Sequence, residues 1–208
     1  MMTLYGTAQS RSFRALWALE EANCDYHYQP VELGLKTEKG TQTERYRSMN
    51  IQGKVPCLIH DTTVINESGA IVNYIAEMKP KRQLIPKDIK VRAYYDELCF
   101  FILSDLEQAL WTVTKHQRLI PEKLRIEAIR KVAEWEFARS VLALEHYLGD
   151  KQFAVGENFT MADILIAYTL RWATAYQFEI SQNLTNYMTR MFSRPAYQSA
   201  LKMEQTAN

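Results

Sequence analysis

Two short stretches carry residue types suited to holding a small peptide: Gln52-Gly53-Lys54-Val55-Pro56 and Asn66-Glu67-Ser68-Gly69-Ala70, about ten residues apart across a hairpin-like pattern. A strand that opens at a proline offers main-chain groups to an extended ligand. A carboxylate and a hydroxyl at a helix start offer side-chain and amide partners to a charged amino-acid end. A third stretch, Gly6-Thr7-Ala8-Gln9-Ser10-Arg11-Ser12-Phe13-Arg14, brings three hydroxyls and two guanidinium groups to the head of a helix. Such a loop favours an anion, and N-capping by Ser10 or Ser12 accounts for the same hydroxyls equally well. No Gly-x-Ser-x-Gly surrounds Ser10, and no histidine and carboxylate stand at a spacing that would make it a hydrolytic nucleophile. With Gly6 as its only glycine, the loop is not a Walker or Rossmann phosphate cradle. A hydroxyl able to donate to a bound anion remains.

The elements that must position these groups follow from periodicity. Thr3 to Tyr5 reads as a strand, and the next segment carries Phe13, Leu16 and Trp17 at helical spacing. Tyr26-His27-Tyr28-Gln29 reads as a second strand, while 38–49 is polar and its conformation stays open. Cys57-Leu58-Ile59-His60 and Val64-Ile65 flank Asp61-Thr62-Thr63 as a hairpin. Ala70, Ile71, Tyr74, Ile75 and Met78 then mark a helix that ends before Pro80. The pattern is a βαβ unit followed by a ββα unit.

The stretch 79–88, with Pro80 and Pro86 among charges, has the composition of an interdomain connector. Beyond it strand signals disappear, and helical patterns run over about 90–120 and 122–148, closed by Gly149. Leu124, Ala128, Val132, Trp135 and Leu142 are expected to form the buried stripe of the second, with Glu127, Arg130, Lys131 and Glu134 solvated. Thr160-Met161-Ala162-Asp163 has the form of a capping box, and the apolar run 164–170 after it predicts a helix through the middle of the second half.

Composition narrows the classes. A chain of 208 residues, 47% hydrophobic, is long enough to bury one large core or two modest ones. Its 25 basic and 24 acidic residues nearly cancel, so nucleic acid and anionic membranes are not expected partners. Every apolar run is broken before a bilayer-spanning length, and the start of the chain lacks a targeting pattern, so a cytoplasmic location is expected. Cys24, Cys57 and Cys99 contain no Cys-x-x-Cys, and no histidines sit at ligand spacing. Neither a metal site nor a disulfide framework is expected.

Strand, hydroxyl loop, helix, strand, Val-Pro, hairpin, then Glu-Ser opening a helix, all followed by a helical half: this order resembles the cytosolic glutathione transferases of serine type, bacterial-like, along essentially the whole chain. The resemblance implies an α/β thioredoxin-like N-terminal domain at 1–80 that binds glutathione and a linker at 81–89. An all-α C-terminal domain at 90–208 would complete the pocket for the electrophile. Only about 5–6% of X–Pro bonds are cis, so the residues alone favour trans at Pro56, whereas the family implies cis. That geometry frees the Val55 main chain to pair with the cysteinyl part of glutathione. Glu67 and Ser68 would hold the γ-glutamyl end, and Lys54 would lie near the peptide's carboxylate or backbone.

Ser10, four residues before Arg14 as in many serine-type members, is the expected thiol-activating hydroxyl, with Tyr5, Ser12 and Thr7 as other candidates. It stands roughly where beta-type and omega-type relatives carry cysteine. The Ser-Ser-Cys signature of maleylacetoacetate isomerases is absent, so disulfide reduction and that isomerisation are not expected. The implied activity is conjugation of the glutathione thiolate to a hydrophobic electrophile, as in detoxification. A glutathione-dependent peroxidase of organic hydroperoxides, or a non-catalytic ligand-binding or assembly protein on the same fold, are the alternatives. Trp111 and Lys115, with Tyr94 and Phe101, are candidates for the electrophile pocket, core packing being the competing role for the aromatics. A homodimer is expected from the family.

Overall fold

The computed structural model describes residues 1–206, which divide into two compact units. One comprises Met1–Ile85 joined by the stretch from Phe192 onward, and the other is Pro86–Met191.

The first unit runs β1 (Met2–Gly6), α1 (Ser12–Glu21), β2 (Tyr26–Pro30), α2 (Glu44–Arg47), β3 (Cys57–His60), β4 (Thr63–Asn66) and α3 (Ser68–Met78). Its sheet has the order β2-β1-β3-β4, with β1 parallel to β2 and antiparallel to β3. Alternation along β1 buries Met2, Leu4 and Gly6 and leaves Thr3 and Tyr5 on the opposite face. Leu4, Leu16, Leu19, Leu58, Ile71 and Ile75 are all closed to solvent, forming the core between the sheet and the α1–α3 pair. The polar stretch 38–49 becomes a loop and the short α2. Thr43 opens that helix by accepting from the Tyr46 amide at 3.2 Å.

In the second unit α4 (Ile89–Phe101) starts where Asp88 Oδ1 accepts from the Lys90 and Val91 amides at 3.0 and 3.1 Å. It continues through a π-helical segment, Ile102–Leu106, into α5 (Glu107–Thr114) and a second π-helical segment, Lys115–Leu119. α6 (Ile129–Leu148), α7 (Met161–Ala175) and α8 (Gln182–Phe192) follow. α7 is the central helix: residues 161–170 are all buried. The capping box forms, with Asp163 Oδ2 accepting from the Thr160 amide at 2.7 Å and the Thr160 hydroxyl at 3.1 Å. No helix among the described residues is long and apolar enough to cross a membrane.

Two expectations need correction. The second helical pattern starts at Ile129 rather than near 122, and its anticipated stripe faces outward: Leu124, Val132, Trp135 and Leu142 are 58%, 50%, 60% and 67% exposed. Ala133, Phe137, Val141, Leu144 and Leu148 are buried instead. The helix carries two apolar stripes of equal period, and packing against α5 selects the other one. The last helix, α9 (Pro195–Thr206), groups with the first unit rather than with the rest of 90–208. Tyr197 packs edge-on against Phe13 and Trp17 of α1, ring centroids 5.3 and 5.0 Å away. Arg194 forks onto the Glu21 carboxylate at 2.6 and 2.8 Å. α1 is therefore buried nearly all round, not on one face.

Candidate functional site

β1 ends at Gly6, and the loop that follows is held from both sides. The Thr7 hydroxyl donates to the Val31 carbonyl at 2.6 Å, and the Thr7 amide donates to Ser12 Oγ at 3.3 Å. Ser10 Oγ lies 2.5 Å from the Thr7 carbonyl, to which it donates, and 2.9 Å from Ser12 Oγ. It also accepts from the Ser12 amide at 3.2 Å. The Ser10 carbonyl accepts from the Phe13 amide at 3.1 Å, closing the turn that leads into α1.

The four candidate hydroxyls differ in what they can reach. Ser12 is buried, and Thr7 is committed to Val31. Tyr5 lies on the other face of β1, edge-on to Tyr46 at 6.1 Å, lining a cavity of about 200 Å³ with Pro30, Lys39, Thr43 and Met49. Ser10 is half-buried at the mouth of α1.

Strand register gathers the other candidates at this end of the sheet. Tyr5 pairs with Cys57, and Cys57 pairs with Asn66. These pairs bring the end of β1, the start of β3 after Pro56 and the end of β4 before Ser68 to one end of the sheet. The Val55–Pro56 bond is cis, as the family resemblance implies and against the ordinary preference of the dipeptide. Neither main-chain group of Val55 has a partner among the described residues. Lys54 is exposed, and its carbonyl accepts from the Tyr46 hydroxyl at 2.7 Å and Asn50 Nδ2 at 3.0 Å, which fixes the segment from behind.

Glu67 is exposed, with φ 68 and ψ 122, a backbone conformation costly for any residue but glycine. Its carbonyl accepts from the Ile71 amide at 2.9 Å at the head of α3. Ser68 is buried, and its hydroxyl accepts from Arg14 Nη1 at 3.4 Å. That contact joins the heads of α1 and α3 and sets a fully buried guanidinium beneath the pair. Neither the link made by Arg14 nor the support from Tyr46 and Asn50 follows from the motifs. An arginine on the helix face that carries Phe13 and Trp17 was the available signal for the first. Nothing local announces the other two, whose bonds depend on the fold of α2.

The aromatics proposed for the electrophile pocket separate into two groups. Trp111 stacks edge-on with Trp172 at 6.4 Å, which in turn meets Tyr176 at 6.3 Å. Lys115 begins the second π-helical segment, one turn on. Tyr94 and Phe101 instead pack on Tyr147 of α6, at 6.2 and 5.2 Å, so they do not share a surface with Trp111. Among the described residues no group of His, Cys, Asp or Glu could hold a metal ion.

Two family models match the chain: the glutathione S-transferase N-terminal domain over residues 1–77 and the C-terminal domain over residues 108–195. The chain belongs to the glutathione transferase family. It is 29% identical to glutathione S-transferase Z1 of Arabidopsis thaliana over 205 residues, covering 94% of this chain and 89% of that protein. It is 31% identical over 175 residues to a probable maleylacetoacetate isomerase 1 of Drosophila melanogaster, covering 83% of this chain and 68% of the relative. Among solved structures, a glutathione transferase from Methylococcus capsulatus superposes with a TM-score of 0.87 at 26% identity, over 99% of this chain and 100% of that one. A sphingomonad glutathione S-transferase complexed with glutathione superposes with a TM-score of 0.82 at 26% identity, over 98% of each chain. In this transferase residues 1–77, with the four-stranded sheet, are the thioredoxin-like α/β domain of the family, and residues 108–195 belong to its helical domain.

Proposed function

We propose that this transferase joins the thiolate of glutathione to a hydrophobic electrophile, with Ser10 as the hydroxyl that stabilises the thiolate. The observation that carries the reading is the contrast among the four hydroxyls: Ser12 is buried, Thr7 is committed to the Val31 carbonyl and Tyr5 lies on the other face of β1, whereas Ser10 is half-open at the head of α1. A free glutathione thiol has a pKa near 8.5, so little is ionised at neutral pH. The Ser12 amide points its proton at Ser10 Oγ, which polarises the hydroxyl toward donation. Turning that proton from the Thr7 carbonyl to sulfur gives the anion a donor held in place by the loop, and the head of α1 adds its dipole. The thiol proton passes to solvent. The sulfur lone pair then forms a C–S bond as the electrophile's leaving group departs, or as its double bond takes up the electrons.

Val55 supports the cysteinyl backbone, Glu67 and Ser68 the γ-glutamyl end, and Lys54 the peptide's carboxylate or backbone. Trp111 and Lys115 are the proposed edge of the electrophile pocket. The names of two relatives raise glutathione-dependent isomerisation as a second reading. The loop Gln9-Ser10-Arg11-Ser12 lacks the Ser-Ser-Cys associated with it, so conjugation is the better supported. The outward-facing apolar stripe Val132, Trp135 and Leu142 supports a symmetric homodimer, and a cytoplasmic, detoxifying role fits a conjugating enzyme.

The test is a Ser10→Ala enzyme assayed in parallel with a chloronitrobenzene, cumene hydroperoxide and maleylacetoacetate. Conjugation by the wild type and a fall in kcat/KM of at least about tenfold in the variant is the expected result. Unchanged conjugation by the variant refutes Ser10. Turnover of the hydroperoxide alone would favour the peroxidase, and tight glutathione binding with no thiolate absorbance would favour a binding protein.

A further inference from the structure

We propose that Glu204, on the last helix, is a positioning residue for the Ser10 loop, holding the backbone that aims the activating hydroxyl; the inference rests on the Ser10 reading above. The residue just before Ser10, Gln9, adopts φ 55, a left-handed conformation that a side chain disfavours. Its amide donates to Glu204 Oε1 at 3.2 Å, across 195 residues of sequence. Glu204 is only 5% exposed. A carboxylate removed from water is costly unless donors compensate it, so its burial beneath a strained turn calls for a role.

The support for that carboxylate is rigid. Tyr197, Ala200 and Glu204 share the buried face of α9, and Tyr197 is wedged against Phe13 and Trp17 of the helix that Ser10 heads. The other side of the loop has no slack: a Cβ added at Gly6 would lie 2.8 Å from both Ser12 Cβ and the Tyr28 hydroxyl. Burial, and behind it the negative charge of Glu204, push the Tyr28 phenol up to about 12, which puts the carboxylate within electrostatic reach of that ring. The loop is thus pinned at Gly6 from below and at Gln9 from the last helix, with Ser10 next in line. Displacing a reacting group by about 1 Å can cost about 10²-fold in rate, so this tether acts on catalysis without touching substrate.

The experiment compares Glu204→Gln, Glu204→Asp, Glu204→Ala and Ser10→Ala with the wild type, reading the pKa of the bound glutathione thiol by thiolate absorbance and the pH profile of kcat/KM. Glutamine keeps an oxygen at the same reach and should stay within about threefold of wild-type kcat/KM. Aspartate keeps the charge but falls one methylene short; it should lose about tenfold, with the bound thiol pKa raised by roughly one unit. Should the alanine variant not fold, the aspartate and glutamine variants still decide. If Glu204→Asp leaves the thiol pKa unchanged while Ser10→Ala raises it, the Glu204 role is wrong and the Ser10 reading stands. If Gln loses activity while Asp keeps it, the buried charge rather than the Gln9 bond matters, and the proposal is overturned. An unchanged thiol pKa in Ser10→Ala sinks the Ser10 reading, whatever the Glu204 variants do.

Discussion

Asp163 offers the most quantitative check on how the helical unit is held together. Its carboxylate is fully buried and accepts four hydrogen bonds: from the Ala154 amide at 2.8 Å, the Tyr187 hydroxyl at 2.5 Å, and the Thr160 amide and hydroxyl at 2.7 and 3.1 Å. Burial pushes the Asp163 carboxyl up while these donors pull it down; burial and the carboxylate together hold the Tyr187 phenol well above its ordinary range, keeping it a donor. Asparagine retains one oxygen, so one of the two arms turns an N–H toward a backbone N–H. A hydrogen bond to a charged group contributes about 1.5–3 kcal/mol, and an orphaned buried amide costs about 1–3 kcal/mol. Relief of the buried charge offsets part of this, leaving a loss of about 3 kcal/mol. Alanine orphans both amides and opens a cavity, for about 4–5 kcal/mol. At roughly 2–4 °C per kcal/mol for a chain of this size, Asp163→Asn should lower Tm by roughly 6–12 °C, and Asp163→Ala by more. Circular-dichroism melts at fixed protein concentration measure both. An Asp163→Asn protein melting within about 2 °C of wild type would refute the reasoning, because the lost acceptor arm would then have no energetic weight.

Other expectations follow from single features. Glu67→Gly removes a side chain from a conformation that glycine accepts, so Tm should hold or rise by about 2 °C, while KM for glutathione rises about tenfold or more; a fall in Tm alongside the rise in KM would contradict the separation of strain from binding. Burial pushes the thiols of Cys57 and Cys99 up to about 11 and about 12, so iodoacetamide at mildly alkaline pH should label Cys24 alone until the chain is unfolded, as read by intact-mass spectrometry. Native labelling at Cys57 would show that β3 opens. Trp135→Glu places a charge on the outward stripe of α6 and should shift the assembly toward monomer in analytical ultracentrifugation; an unchanged dimer would show that the seam lies elsewhere.

What was legible in the sequence was local. Alternation at 3–5, the Val-Pro strand start, the hairpin around Asp61 and the capping signal at Thr160 each depend on neighbours within a few residues, and all appear in the fold. The α6 stripe failed for a definite reason: Val132, Trp135 and Leu142 repeat with the same period as Ala133, Phe137 and Val141, and hydrophobicity alone ranks neither face. The site divides the same way. The hydroxyl loop and the Glu67-Ser68 pair could be found from residue type, whereas the bonds that orient them join Arg14 to Ser68, Tyr46 to Lys54 and Gln9 to Glu204.

The amino-acid order by itself determined most of the strands and helices, because turn chemistry, caps and side-chain period act over one or two turns of chain; α2 and the start of α6 were exceptions. Only the tertiary structure decided that α9 returns to cover α1, that Tyr5 faces away from Ser10's loop, and that a carboxylate near the end of the chain meets an amide near its beginning. Such pairings depend on the mutual placement of surfaces far apart in sequence, and burial there is a property of the packed whole that no single segment encodes.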